Sequence, residues 1–230
     1  MSPTRASYFG RDTPNALRNA VKIGARQYVL IGAGFDSFAL RRPAFSEVLE
    51  IFEIDHPATQ TFKIQRIEDC GILLPSSVHF VSADLANEDL VAALARSSFR
   101  RDALAFFSLL GVTVYLTREA NLATLSAVAN IGAPGSQLVF TYVDQTEFVA
   151  GEPRLLGDAN VKAVAMLGEP YLSGFDPKEI ANDLTHVGLD LIEDLDGQKL
   201  SERYGGTGAN ALRPPASLLT SRSPVFTLLE

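Results

Sequence analysis

Five short apolar segments alternate with helical patterns between residues 27 and 143, and this alternation limits the fold more than any other feature of the sequence. The apolar segments cover residues 27–31, 48–54, 78–82, 103–110 and 137–143. Helical patterns, two of them starting at capping residues, cover residues 37–42, 57–71, 88–97 (cap Asn87) and 118–130 (cap Thr117). Strands that alternate with helices predict an α/β fold, a doubly wound and mostly parallel sheet with helices on both faces.

Further elements are predicted on either side of this alternation. Thr13 is a natural cap for a helix over residues 14–23. Later in the chain, Asp176 caps a helix that precedes a sixth strand over residues 189–195, and an apolar stretch in the tail forms a last strand. The length of 230 residues suits a single domain, residues 1–230.

Composition excludes several classes of function. The net charge of −7, from 20 basic and 27 acidic residues, disfavours binding to nucleic acid. No segment has the features of a membrane helix or a signal peptide, and the single cysteine, Cys70, cannot form an internal disulfide, so we expect a cytoplasmic protein. His56, His79 and His186 lie far apart in sequence, and no metal site is predicted. The oligomeric state stays open.

Ligands of such a sheet bind beyond the carboxyl ends of its strands. After the first strand, Gly32, Ala33 and Gly34 allow a sharp turn that a cofactor can approach, and we expect Gly32→Val to abolish binding without unfolding the protein. Ser37 stands where a dinucleotide site prefers a third glycine, and Asp36 would repel a pyrophosphate. A cationic cofactor without phosphate, such as S-adenosylmethionine, suits this turn. Alternatively, Asp36 only caps the helix that follows.

The second strand ends in acidic residues. Asp55 lies twenty-one residues beyond Gly34, which is the spacing at which a carboxylate accepts the hydroxyl hydrogens of a ribose. Glu53 shares its side of the strand, but Asp55 is favoured because it lies at the tip. Asp55 could instead cap the helix that opens at Pro57. His56 is more typical of a structural loop, although it is also a candidate for catalysis and cofactor contact.

The third and fourth strands are followed by two more candidate positions. Asp84 could bind the amino edge of an adenine while Leu85 packs on the ring, or Asp84 could be a helix cap. Tyr115 follows the fourth strand, where a transferring methyl group and its acceptor would meet. Its ring could position the acceptor or contact the sulfonium, or it could pack under the helix that Thr117 caps.

These stretches resemble the leucine carboxyl methyltransferase family, in its bacterial branch of S-adenosylmethionine-dependent O-methyltransferases. The matching segments are residues 26–41, 52–60, 80–84, 106–117, 168–175 and 203–204. The resemblance extends from Arg5 to about Arg213. The segments around His56 and Tyr115 are specific to this family rather than general to methyltransferases.

The resemblance implies a class I methyltransferase fold, a Rossmann-like sheet of seven strands whose last strand is antiparallel. It implies cofactor contacts at Gly32, Asp55, Asp84, Leu85 and, on the methionine carboxylate, Arg5. Leu110 is a further candidate for contact with the cofactor. The eukaryotic members have a glutamate at this position, and the cofactor contact of that glutamate is not carried over to this sequence. Family members usually have a longer segment before the glycine turn, so we expect a shortened N-terminal cap here.

The resemblance points to O-methylation of a small-molecule carboxylate or hydroxyl. A carboxylate is already a nucleophile, whereas a hydroxyl benefits from a general base. Tyr115 and His56 are the main candidates for that base, and Tyr142 and Asp144 follow the fifth strand. Glu169 lines the acceptor side by resemblance and position.

Three other functions compete with this hypothesis. The eukaryotic relatives suggest a protein or peptide carboxyl methyltransferase. The short amino terminus favours a cofactor-binding homologue without turnover. A dehydrogenase is disfavoured by Asp36 and Ser37 beside the glycine turn.

Overall fold

The computed structural model describes residues 3–149, 152–153, 171–204 and 221–228, with side chains over 13–146, 171–199, 202–203 and 227–228. Its strands are β1 (Gln27–Ile31), β2 (Glu50–Asp55), β3 (Val78–Ser82), β4 (Ala105–Leu109), β5 (Gln137–Phe140), β6 (Tyr142–Val143), β7 (Phe148–Val149), β8 (Glu152–Pro153), β9 (Leu189–Leu195) and β10 (Ser221–Leu228). Its α-helices are α1 (Pro3–Lys22), α2 (Phe38–Arg41), α3 (Pro57–Asp69), α4 (Leu90–Ala95), α5 (Arg118–Ile131), α6 (Ile180–His186) and α7 (Gly197–Tyr204).

The main sheet has the strand order β3-β2-β1-β4-β5-β10-β9. β6 continues β5 after a break at Thr141, so the predicted fifth strand over 137–143 is interrupted. β1 to β5 pair in parallel, whereas β10 is antiparallel to β5, β6 and β9. This arrangement confirms the predicted fold class, a doubly wound sheet that is mostly parallel and has an antiparallel last strand.

Helices cover both faces of the sheet, so successive residues of β1 enter two different cores. Val29 and Ile31 belong to the cluster that α4, α5 and α6 cover, while Tyr28 and Leu30 belong to the cluster under α1 and α2. A strand that is buried on both faces is expected to be a nearly continuous apolar run, and this explains the apolar segments of the sequence. Because β1 to β5 pair in parallel, their carboxyl ends lie at one edge of the sheet.

The predicted start of the first helix is wrong. α1 begins at Pro3 and runs through Pro14, so Thr13 lies inside the helix, where it is buried, and does not cap it. Pro14 lacks an N–H group and removes one hydrogen bond from the helix. The helix nevertheless continues across it and buries Leu17 and Ala20 against the sheet.

The predicted cap of α4 is also wrong. Asp89 is the cap, and its Oδ1 accepts from the backbone nitrogen of Val91 at 2.9 Å. Asn87 instead donates its amide to Asp84 Oδ2 at 2.8 Å. Two residue types that cap helices occur two positions apart here, and local sequence does not separate them.

The helix predicted from Asp176 begins later, at Ile180. Asp176 Oδ1 accepts from the backbone nitrogen of Lys178 at 2.9 Å in the turn that precedes α6. The cap of α5 is confirmed, because Thr117 Oγ1 accepts from the backbone nitrogen of Ala120 at 3.2 Å.

Candidate cofactor and acceptor site

The glycine turn after β1 is fastened to the end of β2. The backbone nitrogens of Gly32 and Ala33 both donate to the carbonyl oxygen of Ile54, at 2.9 and 3.0 Å. Gly32 and Gly34 have φ angles of +68° and +47°, a left-handed conformation that other residues adopt only with strain. The turn therefore needs glycine at both positions, as its predicted shape requires.

The two glycines differ in what surrounds them. A Cβ atom built on Gly32 would lie 2.3 Å from Cγ2 of Val112, in the loop that follows β4. A Cβ atom built on Gly34 meets, among the described residues, only Asp55 Oδ2, at 4.0 Å. The open side of the turn is therefore at Gly34. The side chain of Gly32→Val would overlap Val112, so this variant is expected to destabilise the fold as well as to affect binding.

Asp55 links the tip of β2 to the glycine turn. Its Oδ2 accepts a hydrogen bond from the backbone nitrogen of Gly34, and its Oδ1 accepts from the backbone nitrogen of His56 at 2.6 Å. The alternative that Asp55 caps α3 is wrong, because His56 caps that helix. Each carboxylate oxygen has a second lone pair, so Asp55 keeps the capacity to accept from ribose hydroxyls.

His56 is exposed, and the hydrogen bond of its ring favours a structural role. Nδ1 accepts from the backbone nitrogen of Ala58 at 3.2 Å. A neutral imidazole with an accepting Nδ1 carries its hydrogen on Nε2, so Nε2 has no lone pair with which to take a proton. The role of His56 as a general base, predicted from sequence, receives no support from this geometry.

Asp84 and Leu85 lie beside the tip of β2, as their position after β3 predicts. The backbone nitrogen of Ala83 donates to the carbonyl oxygen of Asp55 at 2.9 Å. The hydrogen bond from the Asn87 amide lowers the pKa of Asp84, and the backbone nitrogen of Ala86 contributes in the same direction. Asp84 is therefore an ionised carboxylate at the start of a turn, and Leu85 beside it is half-buried.

Asp36 lines a small cavity beside α1, β1 and the end of β4. The cavity measures about 60 Å³ and is lined by Thr13, Pro14, Leu17, Tyr28, Asp36, Phe38, Arg41 and Leu110. Asp36 Oδ1 accepts from the backbone nitrogen of Phe38 at 2.6 Å, but the N-cap residue of α2 is Ser37, so the alternative that Asp36 caps this helix is wrong. Burial raises the pKa of Tyr28, whose hydroxyl lies 3.0 Å from Ser108 Oγ.

Glu53 is buried below the surface of the site, which explains why Asp55 rather than Glu53 faces the turn. Its Oε2 lies 2.6 Å from Lys63 Nζ, and both side chains are almost fully buried. Burial raises the pKa of Glu53, and the hydrogen bond from Lys63 opposes that rise. Gln60 on the same helix donates to the carbonyl oxygen of Glu53 at 3.0 Å and accepts from Ser82 Oγ at 2.5 Å.

Sequence reasoning missed the supporting roles of Gln60 and Lys63. Their spacing of three residues on α3 places them on one helix face, which is the signal that could have found them.

Tyr115 lies in the loop after β4, and its ring centroid is 5.4 Å from that of Tyr171. The other two candidate bases are engaged elsewhere. Tyr142 is buried and donates its hydroxyl to Asp194 Oδ2 at 3.0 Å, and Asp144 Oδ1 accepts from the backbone nitrogen of Thr146 at 2.9 Å.

Two predicted site residues lie outside what the structure describes. Arg5 belongs to α1, but its side chain is not among the described ones, and Glu169 falls between the described ranges. Within the described residues, no three side chains of histidine, cysteine, aspartate or glutamate gather as a metal site would require. None of the helices described above is both long enough and apolar enough to cross a bilayer.

The strand order, the glycine turn and the acid at the tip of β2 define the fold of class I S-adenosylmethionine-dependent methyltransferases. A Thermobifida fusca structure provisionally named a methyltransferase superposes with a TM-score of 0.67 at 14% identity, covering 99% of this chain and 81% of that one. Magnesium protoporphyrin IX methyltransferase from Synechocystis, with bound S-adenosylhomocysteine, gives 0.58 at 12% identity over 97% and 82% of the two chains.

The sequence comparisons add the family. The leucine carboxyl methyltransferase profile matches residues 5–129, and the chain belongs to this family. YktD of Bacillus subtilis, provisionally named an S-adenosyl-L-methionine-dependent methyltransferase, is 37% identical over 207 residues, which are 89% of this chain and 66% of YktD. A Mycobacterium avium protein of the same provisional name is 32% identical over 59% of this chain and 45% of its own length. The chain thus spans about half to two thirds of these relatives.

Proposed function

We propose that this protein transfers a methyl group from S-adenosylmethionine to an oxygen atom of a small molecule, a carboxylate or a hydroxyl. Membership of the family and the class I fold support methyl transfer. The single observation that carries the proposal is the hydrogen bond from Gly34 to Asp55, because it joins the glycine turn and the candidate ribose acid into one site.

The residues at this edge fit the proposed cofactor. Gly34 leaves the turn open to a ligand, Asp55 would accept from the ribose, and Asp84 and Leu85 would flank the adenine. Asp36 adds a further carboxylate near Asp55 and Glu53, which favours the ammonium and sulfonium of S-adenosylmethionine over a pyrophosphate. When bound, the cofactor supplies an electrophilic methyl group.

The hydrogen bonds of His56, Tyr142 and Asp144, three of the four candidate bases, favour a carboxylate as the acceptor. An acceptor oxygen attacks the methyl carbon in line, the carbon–sulfur bond breaks, and its electron pair stays on sulfur. A carboxylate needs no proton removed for this attack, whereas a neutral hydroxyl must lose one. His56 uses its Nδ1 lone pair to cap α3, and the Tyr142 hydroxyl donates to Asp194. The role of the protein is then to orient the reactants and to exclude water.

A protein or peptide carboxylate is the second candidate acceptor, and the family description favours it. The cofactor-binding homologue without turnover remains an alternative of a different class. The chain covers only part of the length of its relatives, so the experiment below also tests the peptide acceptor and the homologue without turnover.

Calorimetry against S-adenosylmethionine, S-adenosylhomocysteine and NAD tests the cofactor, and S-adenosylhomocysteine is expected to bind far more tightly than NAD. Tighter binding of NAD would refute the proposal at its base. Labelled methyl donor offered with a metabolite panel and a peptide panel then separates the acceptor classes. Methyl label on nitrogen would contradict O-methylation, and cofactor binding without labelled product from either panel would favour the homologue without turnover.

A further inference from the structure

The loop that follows β4, residues 111–117, is fastened to the rest of the domain at several successive positions. The backbone nitrogen of Gly111 donates to Thr141 Oγ1 at 2.7 Å. Thr113 Oγ1 donates to the carbonyl oxygen of Thr141 at 2.6 Å. Thr141, at the break between β5 and β6, thus accepts two hydrogen bonds from the start of this loop, one at its hydroxyl oxygen and one at its carbonyl oxygen.

The second half of the loop is held by Asn121, which lies one helical turn into α5. Asn121 is fully buried, and its Nδ2 donates to the carbonyl oxygen of Thr113 at 2.8 Å and to Ser173 Oγ at 3.0 Å. Ser173 Oγ donates in turn to the carbonyl oxygen of Leu116 at 2.7 Å. The amide of Asn121 therefore satisfies one loop carbonyl directly and orients the hydroxyl that satisfies another.

This loop carries the two contacts that matter for the proposed site. Val112 covers Gly32, so closely that an added Cβ atom would lie 2.3 Å from its Cγ2. Tyr115 packs against Tyr171, and the backbone nitrogen of Leu172 donates to the carbonyl oxygen of Val114 at 2.6 Å. Any shift of the loop would therefore reach the glycine turn and the aromatic pair together.

We propose that Asn121 is a positioning residue for the S-adenosylmethionine site. It acts through Thr113 and Ser173, and it holds Val112 against the glycine turn without touching the cofactor itself. This inference rests on the proposed function, since the site that it positions is the proposed cofactor site. Removal of the amide takes one hydrogen bond from the carbonyl oxygen of Thr113 and leaves Ser173 Oγ without its donor, and the loop is expected to relax away from the turn.

The test measures S-adenosylhomocysteine affinity by calorimetry, at a temperature where circular dichroism shows every variant to be folded. Asn121→Leu keeps the volume but removes the donor, and it is expected to bind S-adenosylhomocysteine about 3- to 30-fold more weakly. Ser173→Ala is expected to weaken binding in the same direction, and Ser173→Thr, which keeps the hydroxyl, is expected to restore it. The Ser173 pair keeps the test decisive if Asn121→Leu fails to fold.

Ser136→Ala is the matched control. Ser136 is also buried, and its Oγ accepts from the backbone nitrogen of Ala105 at 3.0 Å, at the opposite, amino end of β4. This variant is expected to lower the melting temperature and to keep the wild-type affinity. Wild-type affinity in folded Asn121→Leu and Ser173→Ala would overturn the inference and leave the proposed function intact. Failure of the wild-type protein to bind would overturn both.

Discussion

Gly32→Ala is expected to cost the fold about 2–5 kcal/mol, because the added methyl group meets two separate obstacles. The first is the backbone conformation, since φ is +68° at Gly32 and a left-handed L-residue costs about 1–2 kcal/mol. The second is the distance of 2.3 Å between the new Cβ atom and Val112 Cγ2. Relief of such an overlap by local shifts costs about 1–3 kcal/mol.

Three further variants separate these costs: Gly71→Ala, Val112→Ala and the double variant of Gly32→Ala with Val112→Ala. Gly71 has a φ of +65°, and no described atom lies within 4 Å of a Cβ built there, so Gly71→Ala is expected to cost only the backbone share of about 1–2 kcal/mol. In a Val112→Ala background the overlapping Cγ2 atom is gone, and Gly32→Ala is expected to fall to the same value. The coupling energy between positions 32 and 112 is therefore about 1–3 kcal/mol.

Urea unfolding followed by far-ultraviolet circular dichroism measures all four variants and the wild type, since the chain has no tryptophan to report by fluorescence. The reasoning would be refuted if Gly32→Ala and Gly71→Ala lowered the free energy of unfolding equally and the coupling energy between positions 32 and 112 were zero. Because a Gly32 variant is expected to be less stable, loss of cofactor binding in such a variant does not by itself show that Gly32 contacts the ligand.

Substitutions at three more positions test the carboxylates and the buried phenol. Asp55→Ala is expected to weaken S-adenosylhomocysteine binding about 10- to 100-fold, and Asp55→Asn is expected to weaken it less. A lower melting temperature with wild-type affinity would restrict Asp55 to a structural role. Lys63→Met leaves Glu53 buried without its partner and is expected to cost about 3–5 kcal/mol at about pH 8. Burial raises the pKa of Glu53, so this cost should shrink as the pH falls and Glu53 takes up a proton. A loss that does not change with pH would contradict the pairing. Burial raises the pKa of Tyr28 above its ordinary value of 10.0, so the free energy of unfolding, measured in urea, should fall above that pH. Tyr28→Phe should reduce this fall. An unchanged pH dependence in Tyr28→Phe would contradict the reasoning.

The sequence predicted the fold well because the alternation of strands and helices is a local property that the sheet preserves. The position of Asp55 was also predictable, since the carboxyl ends of parallel strands meet at one edge and the spacing from Gly34 follows from one β-α-β unit. The links between these elements were not predictable. The Val112 contact and the hydrogen bonds of Asn121 join segments that are distant in sequence, and no periodicity reports such contacts.

Helix ends were the weakest predictions, for a related reason. Asn87 and Asp89 are equally good caps by residue type, and the choice between them depends on how α4 packs on the sheet. Thr13 and Pro14 form a strong local start signal, yet α1 extends through them. A local signal gives the preference of a segment, and packing in the folded domain can override it.

The carboxylates at the edge of the sheet have a consequence for the exchange of donor and product. Asp36 and Asp55 lie close enough for both to raise the pKa of Glu53, and Asp84 adds its charge beyond the tip of β3. In the proposed reaction the methyl donor carries one net positive charge, and the product of transfer carries none. The local field therefore attracts the donor more strongly than the product. Such a field reaches about 8 Å at physiological ionic strength and shrinks as salt is added. The protein should accordingly be less inhibited by its own product in dilute buffer than in concentrated salt.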